Sequence, residues 1–366
     1  MDTDSFELKV AEVVEETADA HSVSFEVPDD LAEHFAYKPG QFLTLAVPSD
    51  RTGVAARCYS LSSSPAGGGP LTITVKRTVE GYASNWICDN VREGDTVRVL
   101  PPSGIFTPAS LSADLLLFAG GSGITPVISI TRTALQQGTG KIVLFYANRD
   151  EKSVIFAEEL SEMASENPDR LVVVHWLETV QGLPSQDQMK AFAAPFSSYD
   201  AFVCGPAPFM KLTVAALKEL EFPRERRHQE KFVSLGGNPF GDLHDKEVAE
   251  HEIEDAETDP DDATEVAPQD LGPQGPVKLE VELDGQDYTF DDWAPGTKLL
   301  EHLESKGVKA PYSCREGECS ACAIRLIEGE VRMIRNDVLD AEDLAEGIRL
   351  GCQSVPVTDT VKVTYH

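Results

Sequence analysis

Four cysteines constrain the fold of this chain most tightly. Cys314, Cys319 and Cys322 stand in the run Cys314-Arg315-Glu316-Gly317-Glu318-Cys319-Ser320-Ala321-Cys322, and Cys352 follows thirty residues later. A C-x4-C-x2-C loop with one distant cysteine is the spacing that brings four thiolates onto the two irons of a 2Fe–2S cluster. The small residues Gly317, Ser320 and Ala321 let such a loop wrap closely, with backbone N–H groups turned toward sulfur. Two other readings exist. One is zinc, although zinc loops usually pair two short C-x2–4-C units; the other is four buried or unpaired thiols. The chain has seven cysteines, an odd number, with these four in its last 53 residues. That distribution argues against a secreted disulfide scaffold and for a metal or redox site in a reducing compartment.

The 366 residues are enough for two or three domains. Up to about residue 100, period-two segments such as Leu8–Val14, Val23–Val27, Phe42–Val47, Leu71–Val75 and Thr96–Val99 alternate with turn residues, with one helix-like insert at Ser84–Asn90. Short, evenly spaced strands of this kind predict a small antiparallel barrel. The pattern then changes to buried apolar runs, Asp114–Ala119, Lys141–Tyr146, Leu171–Trp176 and Ala201–Cys204, with helical segments near Pro126–Gln137, Val154–Ala164 and Phe209–Leu220. Strands alternating with helices predict a doubly wound parallel sheet. Residues 242–270 hold 13 Asp or Glu and a single basic residue, Lys246. Such a stretch cannot bury enough surface to offset its ordering entropy, so it reads as a solvated linker, and alternatively as a leash for the domain beyond it. From Val277 a compact region follows, with strands at Lys278–Leu283 and Asp287–Phe290 and a helix at Lys298–Lys306.

Charge and hydropathy narrow the function. With 31 basic against 62 acidic residues the net charge is −31, which disfavours nucleic acid and anionic lipid as partners. No apolar run approaches the roughly 20 residues of a membrane span. The acidic start, Met1-Asp2-Thr3-Asp4-Ser5, lacks the cationic opening of a signal peptide, so a cytoplasmic location is expected. The eight histidines are scattered without metal-ligand spacing.

Several short segments suit nucleotide cofactors. Arg57-Cys58-Tyr59-Ser60-Leu61 ends a barrel strand with a guanidinium for pyrophosphate, a flat phenol for stacking and a hydroxyl for a ring edge. Lys76 leads to Gly81-Tyr82-Ala83-Ser84, which reads as a phosphate-binding helix start and equally as an ordinary turn and N-cap. Gly120-Gly121-Ser122-Gly123-Ile124-Thr125-Pro126 follows a buried strand and opens a helix, where backbone approaches a pyrophosphate closely, although it is not the G-x-G-x-x-G fingerprint. Cys204-Gly205-Pro206 ends another buried strand, with Cys204 either core filler or a site residue.

Taken in order, these motifs resemble the ferredoxin–NADP reductase superfamily, and Pro311 to Ala323 with Gly351-Cys352-Gln353-Ser354 resembles the cluster segments of plant-type ferredoxins. The resemblance implies an FAD barrel over 1–108, an NAD(P)-binding α/β domain over 110–230, an acidic linker over 231–276 and a β-grasp ferredoxin domain over 277–366. It implies Arg57 on FAD phosphate, Tyr59 on the ring, Ser60 near flavin N5, Gly81 and Ser84 on the pyrophosphate, and Thr125 and Cys204 beside the nicotinamide. It makes Phe232 the candidate cover for the flavin's other face, and Cys314, Cys319, Cys322 and Cys352 the iron ligands.

This domain order is similar to that of reductase components of multicomponent oxygenases. The segment Glu230 to Phe240 is similar to reductases of steroid-degrading 3-ketosteroid-9α-hydroxylases; phenylacetyl-CoA epoxidase reductases share the layout. The expected activity is electron transfer from NADH through FAD and the 2Fe–2S cluster to a terminal oxygenase, with Tyr59, Ser60 and Cys204 around the hydride step. Flavin is needed because it takes two electrons together and releases them singly. Asn148-Arg149-Asp150 offers both an acid for a ribose hydroxyl and a base for a 2′-phosphate; the family resemblance favours NADH over NADPH. Two further readings are a non-enzymatic 2Fe–2S carrier or sensor, and a self-contained NAD(P)H oxidase. Acidic groups at Glu316, Glu318, Asp340, Glu342 and Asp343 either steer the cluster domain to a basic partner or form ordinary solvated surface.

Overall fold

The computed structural model describes residues 5–49, 53–79, 81–232, 240, 273, 275–283, 285–312, 315, 317, 320–339 and 341–365. Most of the predicted acidic linker, together with Cys314, Cys319, Glu316, Glu318 and Asp340, lies outside these residues.

Six strands carry the first unit: β1 (Phe6–Thr17), β2 (Ala20–Glu26), β3 (Phe42–Ser49), β4 (Gly53–Ser60), β5 (Leu71–Lys76) and β6 (Thr96–Ser103), with α1 (Tyr82–Asn90) between the last two. They form one antiparallel sheet in the order β4-β3-β6-β1-β2-β5. An antiparallel bridge from Leu61 to Ile73 joins the two ends, closing the sheet into a barrel. Alternation puts Leu8, Val10, Leu43, Leu45, Ile73 and Val75 inside, and α1 adds Ala83, Ile87 and Cys88 to the same core.

The second unit runs β7 (Leu115–Gly120), α2 (Ile124–Gln137), β8 (Ile142–Asn148), α3 (Ala157–Glu166), β9 (Leu171–Leu177), α4 (Glu178–Gln181), α5 (Gln186–Ala193), β10 (Asp200–Cys204), α6 (Ala207–Glu219) and β11 (Arg227–Glu230). All five strands are parallel, in the order β11-β10-β7-β8-β9. One apolar cluster packs α2 and α3 on one face, and another packs α5 and α6 on the other, which is why β7 is apolar at every position. Hydroxyls seam this unit to the barrel: Ser129 Oγ donates to the Ser63 carbonyl at 2.6 Å, Ser64 and Thr133 hydroxyls lie 3.0 Å apart, and Arg132 bonds the Ser62 carbonyl.

The third unit comprises β12 (Val277–Leu283), β13 (Gln286–Trp293), α7 (Leu299–Ser305), β14 (Ala323–Glu328), β15 (Val331–Met333), α8 (Ala341–Ala345), β16 (Ile348–Leu350), β17 (Ser354–Pro356) and β18 (Thr360–Thr364). Its main sheet has the order β13-β12-β18-β14-β16, with β12 and β18 parallel and the rest antiparallel; β15 and β17 pair separately. Leu299, Leu300 and Leu303 of α7 lie over this sheet beside the fully buried Trp293. This is the expected β-grasp arrangement. No helix among the described residues is long and apolar enough to cross a membrane.

Candidate functional site

Strand alternation decides which way the Arg57-to-Ser60 segment faces. Arg57 and Tyr59 point to one side of β4, opposite Leu45 and Leu43, while Ala56, Cys58 and Ser60 point to the other. Tyr59 packs its ring on the barrel core, and burial pushes its phenol well above the ordinary range despite the nearby Arg57 guanidinium. Ser60 is buried, and Leu61 forms the bridge that closes the barrel. At the start of α1, Ser84 Oγ accepts the Thr78 N–H at 3.0 Å. A Cβ on Gly81 would meet the Thr78 Cβ at 2.8 Å and Ser84 Oγ at 3.1 Å. Gly81 and Ser84 therefore form one tight turn whose space only glycine leaves open.

The glycine loop lies against the barrel at the end of β5. Lys76, at the end of β5, reaches to 4.0 Å from where a Cβ on Gly121 would stand, and Gly121 has φ +52°. A Cβ on Gly120 would press on Pro206 and Phe209 at 2.9 and 3.1 Å, and one on Gly123 would lie 2.2 Å from the Cys204 carbonyl oxygen. A Cβ on Gly205 would stand 3.0 Å from the Gly120 backbone. Gly120, Gly123, Cys204, Gly205 and Pro206 thus form one backbone-to-backbone contact at the carboxyl ends of β7 and β10, where α/β sheets bind ligands. Thr125 is buried and bonds the Ser122 carbonyl at 3.1 Å, holding the first turn of α2. At the end of β8, Asn148 is buried, and neither of its amide atoms has a partner among the described residues. An orphaned amide beside a glycine-lined helix start fits a nucleotide ligand.

One residue here carried no role in the sequence reading. Glu230 ends β11 in register with Cys204 and is buried, which pushes its carboxyl up to about 8. Cys204 is wholly buried, and desolvation with the adjacent Glu230 pushes its thiol well above the ordinary value, so it stands as a neutral thiol. Next along β11, His228 stacks on Phe202 at 4.3 Å, and burial lowers it to about 4. For Glu230 the folded value exceeds the unfolded one, so the native state binds more protons between pH 4.5 and 8 and stability falls as pH rises through that window. His228 acts oppositely, costing stability only below its unfolded value near 6.5. Thermal unfolding between pH 6.5 and 8 should therefore show a loss of about 2 kcal/mol that E230Q abolishes. An unchanged slope in E230Q would show that Glu230 is not the titrating group.

Of the predicted cluster ligands, Cys322 and Cys352 are described, and both are buried. The Cys352 N–H is directed at Cys322 Sγ at 3.5 Å, and the Gly351 N–H donates to the Cys322 carbonyl at 2.9 Å. Gln353 Nε2 donates to the Arg315 carbonyl at 2.6 Å, tying the fourth-ligand segment to the loop. Arg315 and Gly317 have φ of +61° and +80°, and a Cβ on Gly317 would stand 2.8 Å from the Arg335 carbonyl. Paired buried thiols with amides directed at sulfur, in a loop this tight, fit an iron–sulfur cluster.

The cluster loop is seated on the flavin-side barrel. Ala321 is buried and shares one apolar cluster with Phe42, Ala56 and Leu100 of the barrel and with Phe240, while Cys58 packs against it. Arg98 donates to the Phe240 carbonyl at 2.8 Å with its guanidinium 5.2 Å from the Phe240 ring, fixing that residue on the barrel. A second contact joins α8 to the nucleotide-binding unit: Glu342 pairs with Lys218 at 2.5 Å and with Arg227 at 3.1 Å, and Asp343 with Arg224. Glu342 and Asp343 are thus occupied within the chain, which replaces the expectation that they form a free acidic face. Phe232 follows β11 and is half exposed.

Comparison with known proteins agrees with this three-part architecture. Residues 7–107 match the oxidoreductase FAD-binding domain family, 117–215 the oxidoreductase NAD-binding domain family, and 281–357 the 2Fe-2S iron-sulfur cluster binding domain family. The ferredoxin reductase component of 3-ketosteroid-9-alpha-monooxygenase from Rhodococcus rhodochrous is 54% identical over 98% of this chain and 96% of its own length. A component of the 1,2-phenylacetyl-CoA epoxidase of Escherichia coli is 31% identical over 98% of this chain and 97% of its own. Among solved structures, phthalate dioxygenase reductase, described as modular for electron transfer from pyridine nucleotides to 2Fe-2S, shares the fold with a TM-score of 0.56 at 23% identity, covering 99% of this chain and 98% of its own. With FAD-binding, NAD-binding and 2Fe-2S units in one chain and near-full-length identity above one half, this protein belongs to the ferredoxin reductase components of 3-ketosteroid-9-alpha-monooxygenases.

Proposed function

We propose that this chain draws electrons from NADH and delivers them through FAD and a 2Fe–2S cluster to the terminal oxygenase of a ketosteroid 9α-hydroxylating system. The observation that carries the reading is the seating of Ala321, next to the cluster ligand Cys322, on the barrel face that presents Ser60. Flavin, when bound, would supply the conversion between a two-electron hydride and single electrons. The chain's own residues bind and orient. Arg57 and Lys76 neutralise pyrophosphate, Gly81 and Ser84 shape its turn, Tyr59 stacks on the ring, Ser60 bonds its reactive edge, and Phe232 covers the opposite face. Gly120, Gly121, Gly123 and Thr125 admit the nucleotide, while Cys204, Gly205, Pro206 and Glu230 exclude water around the nicotinamide. Cys314, Cys319, Cys322 and Cys352 hold the irons.

Unit boundaries at 1–108, 110–230, 231–276 and 277–366 accommodate every family match. NADH is favoured over NADPH because Arg149, the cation near the end of β8, is paired with Asp150 at 3.1 Å, and Asp150 is held below the ordinary carboxylate range. Anaerobic titration followed in the visible tests the whole reading. Stoichiometric NADH should bleach flavin and then cluster, with NADPH needing roughly tenfold higher concentration. Equal response to both would overturn the NADH preference. A cluster spectrum without flavin, or a flavin that neither nucleotide reduces, would leave only an electron carrier.

A further inference from the structure

Among the described residues, a buried phenol near Cys322 and Cys352 lacks a hydrogen-bond partner. Tyr365 follows β18, where its backbone N–H donates to the Glu282 carbonyl at 3.0 Å. Its hydroxyl is buried and has no hydrogen-bond partner among the described residues. The hydroxyl oxygen lies 2.9 Å from where a Cβ on Gly351 would stand, so it rests against the residue immediately before Cys352. Gly351 in turn donates its N–H to the Cys322 carbonyl at 2.9 Å. The phenol therefore sits at the junction of the two described cysteines, whose own contact is the 3.5 Å approach of the Cys352 N–H to Cys322 Sγ.

A buried hydroxyl without an acceptor is costly and rare in native proteins. At neutral pH a phenol is a donor. Neither the Cys322 nor the Cys352 sulfur is bonded to it, so the acceptor that the protein's own atoms do not supply would be the negatively charged inorganic sulfide of a bound cluster. The geometry points to Tyr365 as a positioning residue whose hydroxyl would donate a hydrogen bond to the inorganic sulfide of a cluster held beside Gly351 and Cys352, and would thereby raise the cluster's reduction potential. Reduction adds negative charge, which a donor to sulfur stabilises. The inference rests on these cysteines holding a 2Fe–2S cluster. It also gives Gly351 a reason: any side chain there displaces the hydroxyl from the sulfur.

The test uses the full-length holoprotein and reads the cluster rather than turnover. Y365F should keep the visible bands of the cluster but shift the electron distribution between flavin and cluster about tenfold toward flavin, 59 mV for a one-electron couple. Resonance Raman Fe–S stretching bands of the wild type should move in D2O through both the amide donors and the phenol, and that movement should be smaller in Y365F. G351A should do the same by pushing the hydroxyl away, and it reports even where Y365F loads cluster poorly. A wild type without deuterium-sensitive bands, or a Y365F potential equal to wild type, overturns the assignment. A wild type with no cluster spectrum overturns instead the reading on which it rests.

Discussion

G123A is expected to lower the rate of flavin reduction by NADH at least about 100-fold while leaving the flavin and cluster spectra in place. The added Cβ would stand 2.2 Å from the Cys204 carbonyl oxygen, 2.4 Å from its carbon and 2.7 Å from the Gly205 nitrogen. All three are backbone atoms of the β10 terminus, so no side-chain rotation relieves the clash. Ordinary carbon contacts need more than 3.4 Å, so the first turn of α2 must withdraw from β10 by about 1 Å. A displacement of that size between reacting groups costs on the order of 100-fold in rate. Overpacking also costs about 1–3 kcal/mol of stability, which leaves a folded protein. Dithionite, which needs no nucleotide site, should reduce the variant's flavin normally. Gly69 has nothing within 4 Å of its notional Cβ, so G69A is the matched control. Stopped-flow reduction of the three proteins checks this; a wild-type rate in G123A would show that the β10–α2 contact does not set nicotinamide placement.

What was legible in the sequence followed from how locally each feature is encoded. The 2Fe-2S unit was readable because its cysteine spacing is a short local pattern in the chain. The glycine loop was readable because β7 is apolar throughout and runs into glycines before a helix. By contrast, β11 is Arg-His-Gln-Glu, with no apolar period, and it is a strand only because β10 pairs with it. Glu230 was invisible for that reason: a glutamate is normally solvated, and only the fold shows it buried beside Cys204. The short strands β15, β16 and β17 have three residues each, too few to display alternation. Ala321 against the barrel joins positions more than 200 residues apart in the chain, and neither side carries a signal of its partner.

Reversing one charge on α8 is expected to separate flavin reduction from cluster reduction. In E342K the lysine would face Lys218 and Arg227, which now lie 2.5 and 3.1 Å from the Glu342 carboxylate. The Lys218 hydrogen bond, followed by Arg227, holds Glu342 below the ordinary carboxylate range. Its side chain is 38% exposed, so each pair contributes no more than about 1 kcal/mol and salt weakens it. Reversal does more than delete: it sets like charges together, at a cost of several kcal/mol. Arg227 is the sensitive partner, since its side chain is only 7% exposed and cannot swing into water. The seat of Ala321 on the barrel is small and apolar, so the clasp is expected to share in keeping the cluster unit in place. Flavin reduction by NADH should therefore be unchanged in E342K, because no nucleotide-facing residue moves, while cluster reduction slows about tenfold or more. Raising salt from 0.1 to 1 M shortens the Debye length from about 10 to 3 Å, so wild-type cluster reduction should slow as well. E342K, with the clasp already open, should respond little, and the swapped pair E342R with R227E should recover part of the rate. If E342K reduces its cluster as fast as wild type at low salt, the apolar seat alone holds the cluster at the flavin and the ion pairs serve no docking role.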